Sequence, residues 1–251
     1  MGFSLLQSNL EIPSVENLQR AFRSVKCLTD FDAHTLSKDA FGILVKHIDH
    51  NDAVTLQEAL QKEGIETELV ERGILPQLPH GKQIHRLECM PESLVIYDPL
   101  GRSFPLEWRH IMMVIAGRVT VNEFNRVAKE RLVLSNDGFG NPVHEKVREY
   151  ATRELLQERL ILEVILQRAV LRYTVDAEKF NFQYLGERQQ SEMSANLALL
   201  VQDIVQYAPH VALNRGAYYL RENQLESFRY PSRNAFDEET IWLLYQIQRA
   251  H

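Results

Sequence analysis

Apolar and polar positions recur along this chain at periods that sort much of it into elements. Phe3 to Gln7 is a short apolar run that predicts a strand, and Ile12-Pro13-Ser14 supplies a turn with Ser14 placed to cap a helix. Val15, Leu18, Ala21, Phe22 and Val25 then recur at helical spacing, while Glu16, Gln19, Arg20 and Arg23 fall on the other face. A second short helix fits 30–37, and Phe41 to Ile48 reads as a strand. A third helix over 53–62 is stopped by Gly64, and Ile65 to Val70 alternates as a strand does. The predicted order is βααβαβ.

Pro76, Pro79 and Gly81 lie close together, which reads as a linker. The expected division is therefore a first domain over 1–75, a linker over 76–83 and a second domain over 84–251. The second domain opens with strands at 84–89 and 94–97, and the turn Asp98-Pro99-Leu100-Gly101 leads into a returning strand at 102–106. Ile111 to Ala116 is a continuous apolar run that predicts a buried strand ended by Gly117. The charged stretches 121–131 and 143–159 read as helices separated by the turn formers of 136–142, a helical insertion over about 120–159. Strands are expected again at 161–166, 171–175 and 180–185. An amphipathic helix follows over 194–207, ended by Pro209, and a last helix is expected over 237–249.

The composition of 251 residues, 45% hydrophobic and 25% charged, is that of a folded protein with a sizeable core. The fold class expected from the element order is α+β. No apolar run approaches the roughly 20 residues a bilayer span needs, so no membrane insertion and a cytoplasmic location are expected. The net charge is −6 and no part of the chain is strongly basic, which argues against a nucleic-acid partner. Cys27 and Cys89 lie far apart without metal-ligand spacing, and both are expected to be plain buried or half-buried thiols.

Signatures that would force a mechanism do not occur: there is no GxxxxGK[ST], no GxGxxG after a strand, no GxSxG and no HExxH. His47 and His50 are expected to diverge at a strand end, and His80, His85 and Cys89 offer no fourth zinc ligand. Asn136-Asp137-Gly138 lacks the alternating acids of a calcium loop. No catalytic residue, metal or cofactor is assigned. Tyr218, Tyr219, Arg221, Phe228, Arg229, Tyr230 and Arg233 combine rings with cations, but the interleaved Glu222, Glu226 and Asp237 favour packing over phosphate binding.

The element order, with Leu18-Gln19-Arg20-Ala21-Phe22-Arg23, Glu58-Ala59-Leu60, Glu63-Gly64 and Glu66 through Val70, resembles the C-terminal domain of the large-subunit stalk protein of bacterial ribosomes. That fold is shared with the Clp protease adaptor. The resemblance covers roughly residues 3–71 and implies a partner-binding role for Arg20 and Arg23. The turn after the first helix departs from the family, reading Cys27-Leu28-Thr29-Asp30-Phe31-Asp32 where the family has glycines and lysines. The second part resembles a bacterial pleckstrin-homology-like antiparallel barrel with C-terminal helices, through the pattern Leu94 to Asp98, Arg102 to Trp108 and Ile111 to Gly117.

Both resemblances imply a non-catalytic protein-binding or adaptor protein. The other reading is an enzyme or small-ligand sensor with a pocket between the domains, drawing on Arg102, Trp108, His110 or Tyr184. A homodimer through the apolar side of the last helix, at Ile241, Leu244, Tyr245 and Ile247, is a further expectation.

Overall fold

In the computed structural model residues 2–136, 142–167, 171–224 and 229–250 are described, with the backbone alone over 123–136 and 142–155. The chain is α+β. Its N-terminal sheet has the order β2-β1-β3, from β1 (Phe3–Gln7), β2 (Ile43–Ile48) and β3 (Thr67–Glu71), all antiparallel. One face carries α1 (Val15–Phe22), α2 (Asp30–Leu36) and α3 (His50–Lys62). Leu18, Phe22, Leu56 and Leu60 pack there against Leu5 and Leu44. The helix starts are set locally: the Ser14 side chain accepts from the Asn17 N–H, and Thr29 with Asp32 forms a reciprocal capping box. The βααβαβ order read from the sequence is the order observed.

Part of the expected linker is itself a strand. After a 3-10 turn at Arg72–Ile74, β4 (Gly81–Gln83) pairs in parallel with a strand far along the chain, β10 (Arg172–Asp176). Between them, β5 (Arg86–Cys89), β6 (Ser93–Tyr97) and β7 (Ser103–Glu107) form an antiparallel meander.

The expected helical insertion is a correction. Residues 111–166 form two long antiparallel strands, β8 (Ile111–Asn136) and β9 (Pro142–Leu166), whose register runs from Ile111↔Leu166 to Asn136↔Pro142. Opposite charges such as Glu149 and Arg153 are spaced as in a helix, but the strand register also sets opposite charges across from one another: position 129 (Lys) lies opposite 149 (Glu), and 130 (Glu) opposite 148 (Arg). The turn formers at 137–141 lie outside the described residues.

The expected strand at 180–185 is also corrected. Phe180, Phe182 and Leu185 are buried, but from the 3-10 turns Ala177–Lys179 and Gln183–Arg188 and the segment joining them. Asp176 and Asn181 accept from the N–H groups of Glu178 and Gln183, which curls the chain where a ladder would have extended it.

The larger sheet has the order β11-β8-β9-β10-β4, with β11 (Ala212–Leu213) and β12 (Arg229–Tyr230) both paired in parallel to β8. Among the described residues this sheet and the β5-β6-β7 meander remain separate, so the barrel expected from the sequence does not close. α4 (Met193–Tyr207) and α5 (Arg215–Arg221) cover one face of the β8–β9 base, with Leu197, Leu200, Val201 and Ile204 packed on Val114, Leu162 and Val164.

The other face takes α6 (Arg233–Ala250) through Phe236 and Leu244 against Met113, Ile115 and Ile165. α6 also turns Ile241, Trp242 and Tyr245 toward Leu6, Ile43 and Val70 on the back of the N-terminal sheet. Gly42 (φ +85°) admits the Trp242 ring, which an added Cβ would meet at 2.1 Å. The apolar side of the last helix expected to join two copies is thus occupied within the chain. No described helix is long and apolar enough to cross a membrane.

Candidate functional site

The β8–β9 pair changes character along its length. From Ile111 to Val119 and from Leu160 to Leu166 the sequence is nearly continuous in apolar residues, and both faces are covered. The outer edges there are paired: β9 with β10 from Ile165 to Ile161, and β8 with β11 at Met113–Val114 and β12 at Arg118–Val119.

Beyond Val119 and Leu160 the described residues supply no further strand to either edge. A two-stranded ribbon leaves the body there, roughly 55 Å long at the usual strand rise. Its root is pinned on the β9 side, where Arg229 reaches Glu158 at 3.0 Å and Arg159 pairs with Glu178. Leu156, just past the root, is 72% exposed. Apolar and charged residues are mixed on both strands, with Val121, Val127 and Val133 among charges on β8 and Val143, Val147 and Leu155 among charges on β9, so neither face is wholly apolar. Rows of main-chain donors and acceptors on two open edges make this ribbon the element most able to pair with another chain.

The body beneath the ribbon holds an ion network. Glu163 is 0% exposed and accepts from Arg172 (3.3 Å), Arg233 (2.5 Å) and the Thr174 hydroxyl (3.1 Å), while Asp237 accepts from both arginines. A second buried acid, Glu239, takes Arg215 at 2.7 Å, and the same guanidinium donates to the Ala40 carbonyl. Burial would lower the Arg215 pKa, but Glu239 more than offsets it and the group stays firmly charged. Asn214 donates to the Ala116 carbonyl and accepts from its N–H, fixing α5 on β8. The carboxylates and guanidinium groups pair with one another, the buried Arg172 Nε alone lacking a hydrogen-bond partner among the described residues, and their arrangement is that of a brace.

A cleft of about 330 Å³ opens between β4, β10 and the meander, lined by Lys82, Gln83, His85, Tyr97, Phe104 and Tyr173 among others. The Tyr97 hydroxyl donates to Glu88 under the Arg86 guanidinium, and desolvation with that hydrogen bond pushes its pKa up. Asp98 is held low: desolvation opposes this, but the N–H groups of Leu100 and Arg102 and the Arg102 guanidinium prevail.

The candidate residues read from the sequence are dispersed. Arg20 is exposed and donates to Glu63 at the end of α3 and to Asn17, and it holds the Glu63 carboxyl below its usual range. Arg23 is exposed beyond the end of α1. Arg102 answers Asp98 in a turn, and Trp108 stacks on Tyr207 and donates to Met90. His110 ends a 3-10 turn, and Tyr184 donates to Asp203 beside a bidentate Arg188. None of these four lines the cleft.

His47 sits at φ 59° and His50 packs edge-on against Phe3 at 4.9 Å. His85 contacts the Lys179 carbonyl. Cys27 is exposed, against expectation, because it follows the end of α1, while Cys89 is half-buried and burial pushes its thiol up. Of the tail set, Tyr230 is fully buried, Arg233 serves Glu163, and Arg221 lies over the Tyr218 ring beside Glu222. Phe228 lies outside the described residues. The sequence reading missed the ribbon and Glu163; a lone acid inside Leu160-Ile161-Leu162-Glu163-Val164-Ile165-Leu166 was the available signal for the latter.

No family model matches the chain, and neither the curated proteins nor the solved structures contain a match to it.

Proposed function

We propose that this is a non-catalytic protein-binding protein of the adaptor kind, and that the β8–β9 ribbon is the element it presents to a protein partner. The observation that carries this reading is a two-stranded ribbon with both outer edges unpaired among the described residues, rooted in a braced body. An isolated ribbon of two strands is marginal in water, and strand addition is a general way for one chain to hold another. The likeness of 1–75 to the stalk and adaptor fold, joined across 76–83 to the unit of 84–251, points in the same direction. In this reading Arg20 and Arg23 form a secondary contact surface in a cytoplasmic setting.

The test replaces 122–156 by an Asn-Gly turn, since Val121 and Gln157 are already opposite one another. Cross-linking mass spectrometry is then run on both forms at equal concentration. The reading expects a protein partner linked to the full chain and lost from the shortened one, with the melting temperature of the body kept. An identical partner set for both forms would remove the ribbon from the function.

The cleft favours a second reading, a small-ligand sensor. Lys82 and His85 beside Tyr97, Phe104 and Tyr173 suit a planar anionic molecule. A thermal-shift screen of metabolites against the protein and K82A checks it, with a shift lost in K82A as the supporting result.

A further inference from the structure

The outer edge of β9 runs without a described strand partner from Pro142 to Leu160, and its charges are arranged about a centre. Numbered outward from Ala151, Tyr150 matches Thr152, Glu149 matches Arg153, Arg148 matches Glu154 and Val147 matches Leu155. Further out, His144 matches Glu158. Two copies of this edge laid antiparallel about Ala151 would therefore set Glu149 against Arg153 and Arg148 against Glu154. A two-fold axis repeats each couple, and each couple shares one face of the ribbon because strand side chains alternate.

The neighbouring registers are penalised. A slip of one residue one way opposes Arg148 to Arg153, and one residue the other way opposes Glu149 to Glu154. Parallel in-register pairing opposes every charge to itself. On β8, no centre between Val121 and Asn136 brings together more than one opposite-charge couple. A centre at Thr152 would also set two couples, Lys146 against Glu158 and Glu145 against Arg159, but Glu158 and Arg159 already pair with Arg229 and Glu178 within the chain, so the Ala151 register is the one whose couples do not compete with those ion pairs.

We infer that the occupant of the β9 edge is the β9 edge of a second copy, the two ribbons joining antiparallel about Ala151 into a four-stranded sheet. The inference rests on the reading of the ribbon as a protein-binding element and names its partner. It does not use the α6 surface, which is covered within the chain.

Sedimentation velocity across a wide concentration range, with charge-swapped variants, tests it. R153E/E154R leaves the net charge unchanged, and within the ribbon these positions face Asn125 and Phe124, which carry no charge. The full chain should sediment as a dimer and R153E/E154R should dimerise roughly tenfold or more weakly. R148E/E149R, made together with K129E/E130R so that the pairs within the ribbon stay opposite in charge, should be weakened likewise, and mixing the two variants should restore a heterodimer, since every couple between the copies is then opposite again. A full chain that stays monomeric throughout, or a dimer indifferent to both swaps, overturns the inference. If the chain is monomeric and the ribbon-shortened form still loses a different protein, the self-pairing falls while the protein-binding reading survives.

Discussion

The two ends of one strand pair obey different rules. At the base of β8 and β9, Met113, Val114, Ile115, Leu162, Val164 and Ile165 are buried on alternating faces, because α4 and α5 lie on one side and α6 on the other. In the ribbon the same two strands continue in unbroken register with no described element against them. Strand pairing is thus set by cross-strand register, and burial decides only which residues the register can carry: continuous apolar at the base, mixed beyond it. Polar groups accordingly differ in worth, for a charge at the base must be answered inside the protein, while no described element lies against the ribbon.

The contrast is sharpest at Glu163. E163A would leave the buried Arg172 guanidinium and the partly exposed Arg233 guanidinium with only Asp237 for both, and should cost about 3 kcal/mol in urea denaturation. E145A on the ribbon should move the same midpoint by under about 0.5 kcal/mol. Equal costs at the two positions would mean that the base is wetter than its packing implies.

Next in size is Gly216, whose missing side chain lets α5 sit on β8. A Cβ there would stand 1.9 Å from the Ala116 carbonyl oxygen, a backbone atom held by Asn214, so G216A should lose about 1–3 kcal/mol by thermal melting. An unchanged melting temperature would show that α5 moves freely against the base.

The body of the protein should also be sensitive to alkali. Burial raises the pKa values of Cys89, Tyr184 and Tyr230, so the folded state holds these protons above the pH at which the unfolded chain releases them. Their contribution is complete below the unfolded pKa values, roughly 8.5 for the thiol and 10 for the phenols. Above these, stability falls by about 1.4 kcal/mol per pH unit for each group, until its folded pKa is reached. Y184F should shallow the decline between pH 10 and 11. The same burial makes Cys89 slower toward a thiol reagent at pH 8 than Cys27, which is exposed although desolvation and the nearby Asp52 push its thiol up as well.

What could be read in advance follows the same division between local and distant causes. α1 was legible because Ser14 and the spacing of Leu18, Ala21 and Phe22 act within one turn of each other, and α4 because Leu197, Leu200, Val201 and Ile204 mark one face. β4 was hidden, since a strand of Gly81–Gln83 exists only by pairing with β10 some ninety residues on. The ribbon was hidden for a different reason: a charge couple four residues apart suits a helix, and the cross-strand couples that suit a hairpin show only once the register is known. Arg20 was visible as a surface cation, but its attachment to Glu63 depends on how α1 meets α3.

A last substitution probes the ribbon alone. Lys129 stands opposite Glu149, so K129E sets two carboxylates against each other at a directly paired position. Like charges there should weaken the ribbon locally by about 0.2–1 kcal/mol, read as faster amide exchange between 121 and 158. Amides of Val114, Leu162 and Val164 should keep their protection, because the packing that holds them ends at the root, where Arg229 meets Glu158. Faster exchange at both ends would mean that the strands open as one unit from tip to base, and burial by α4 and α6 would then no longer mark where the body stops and the ribbon begins.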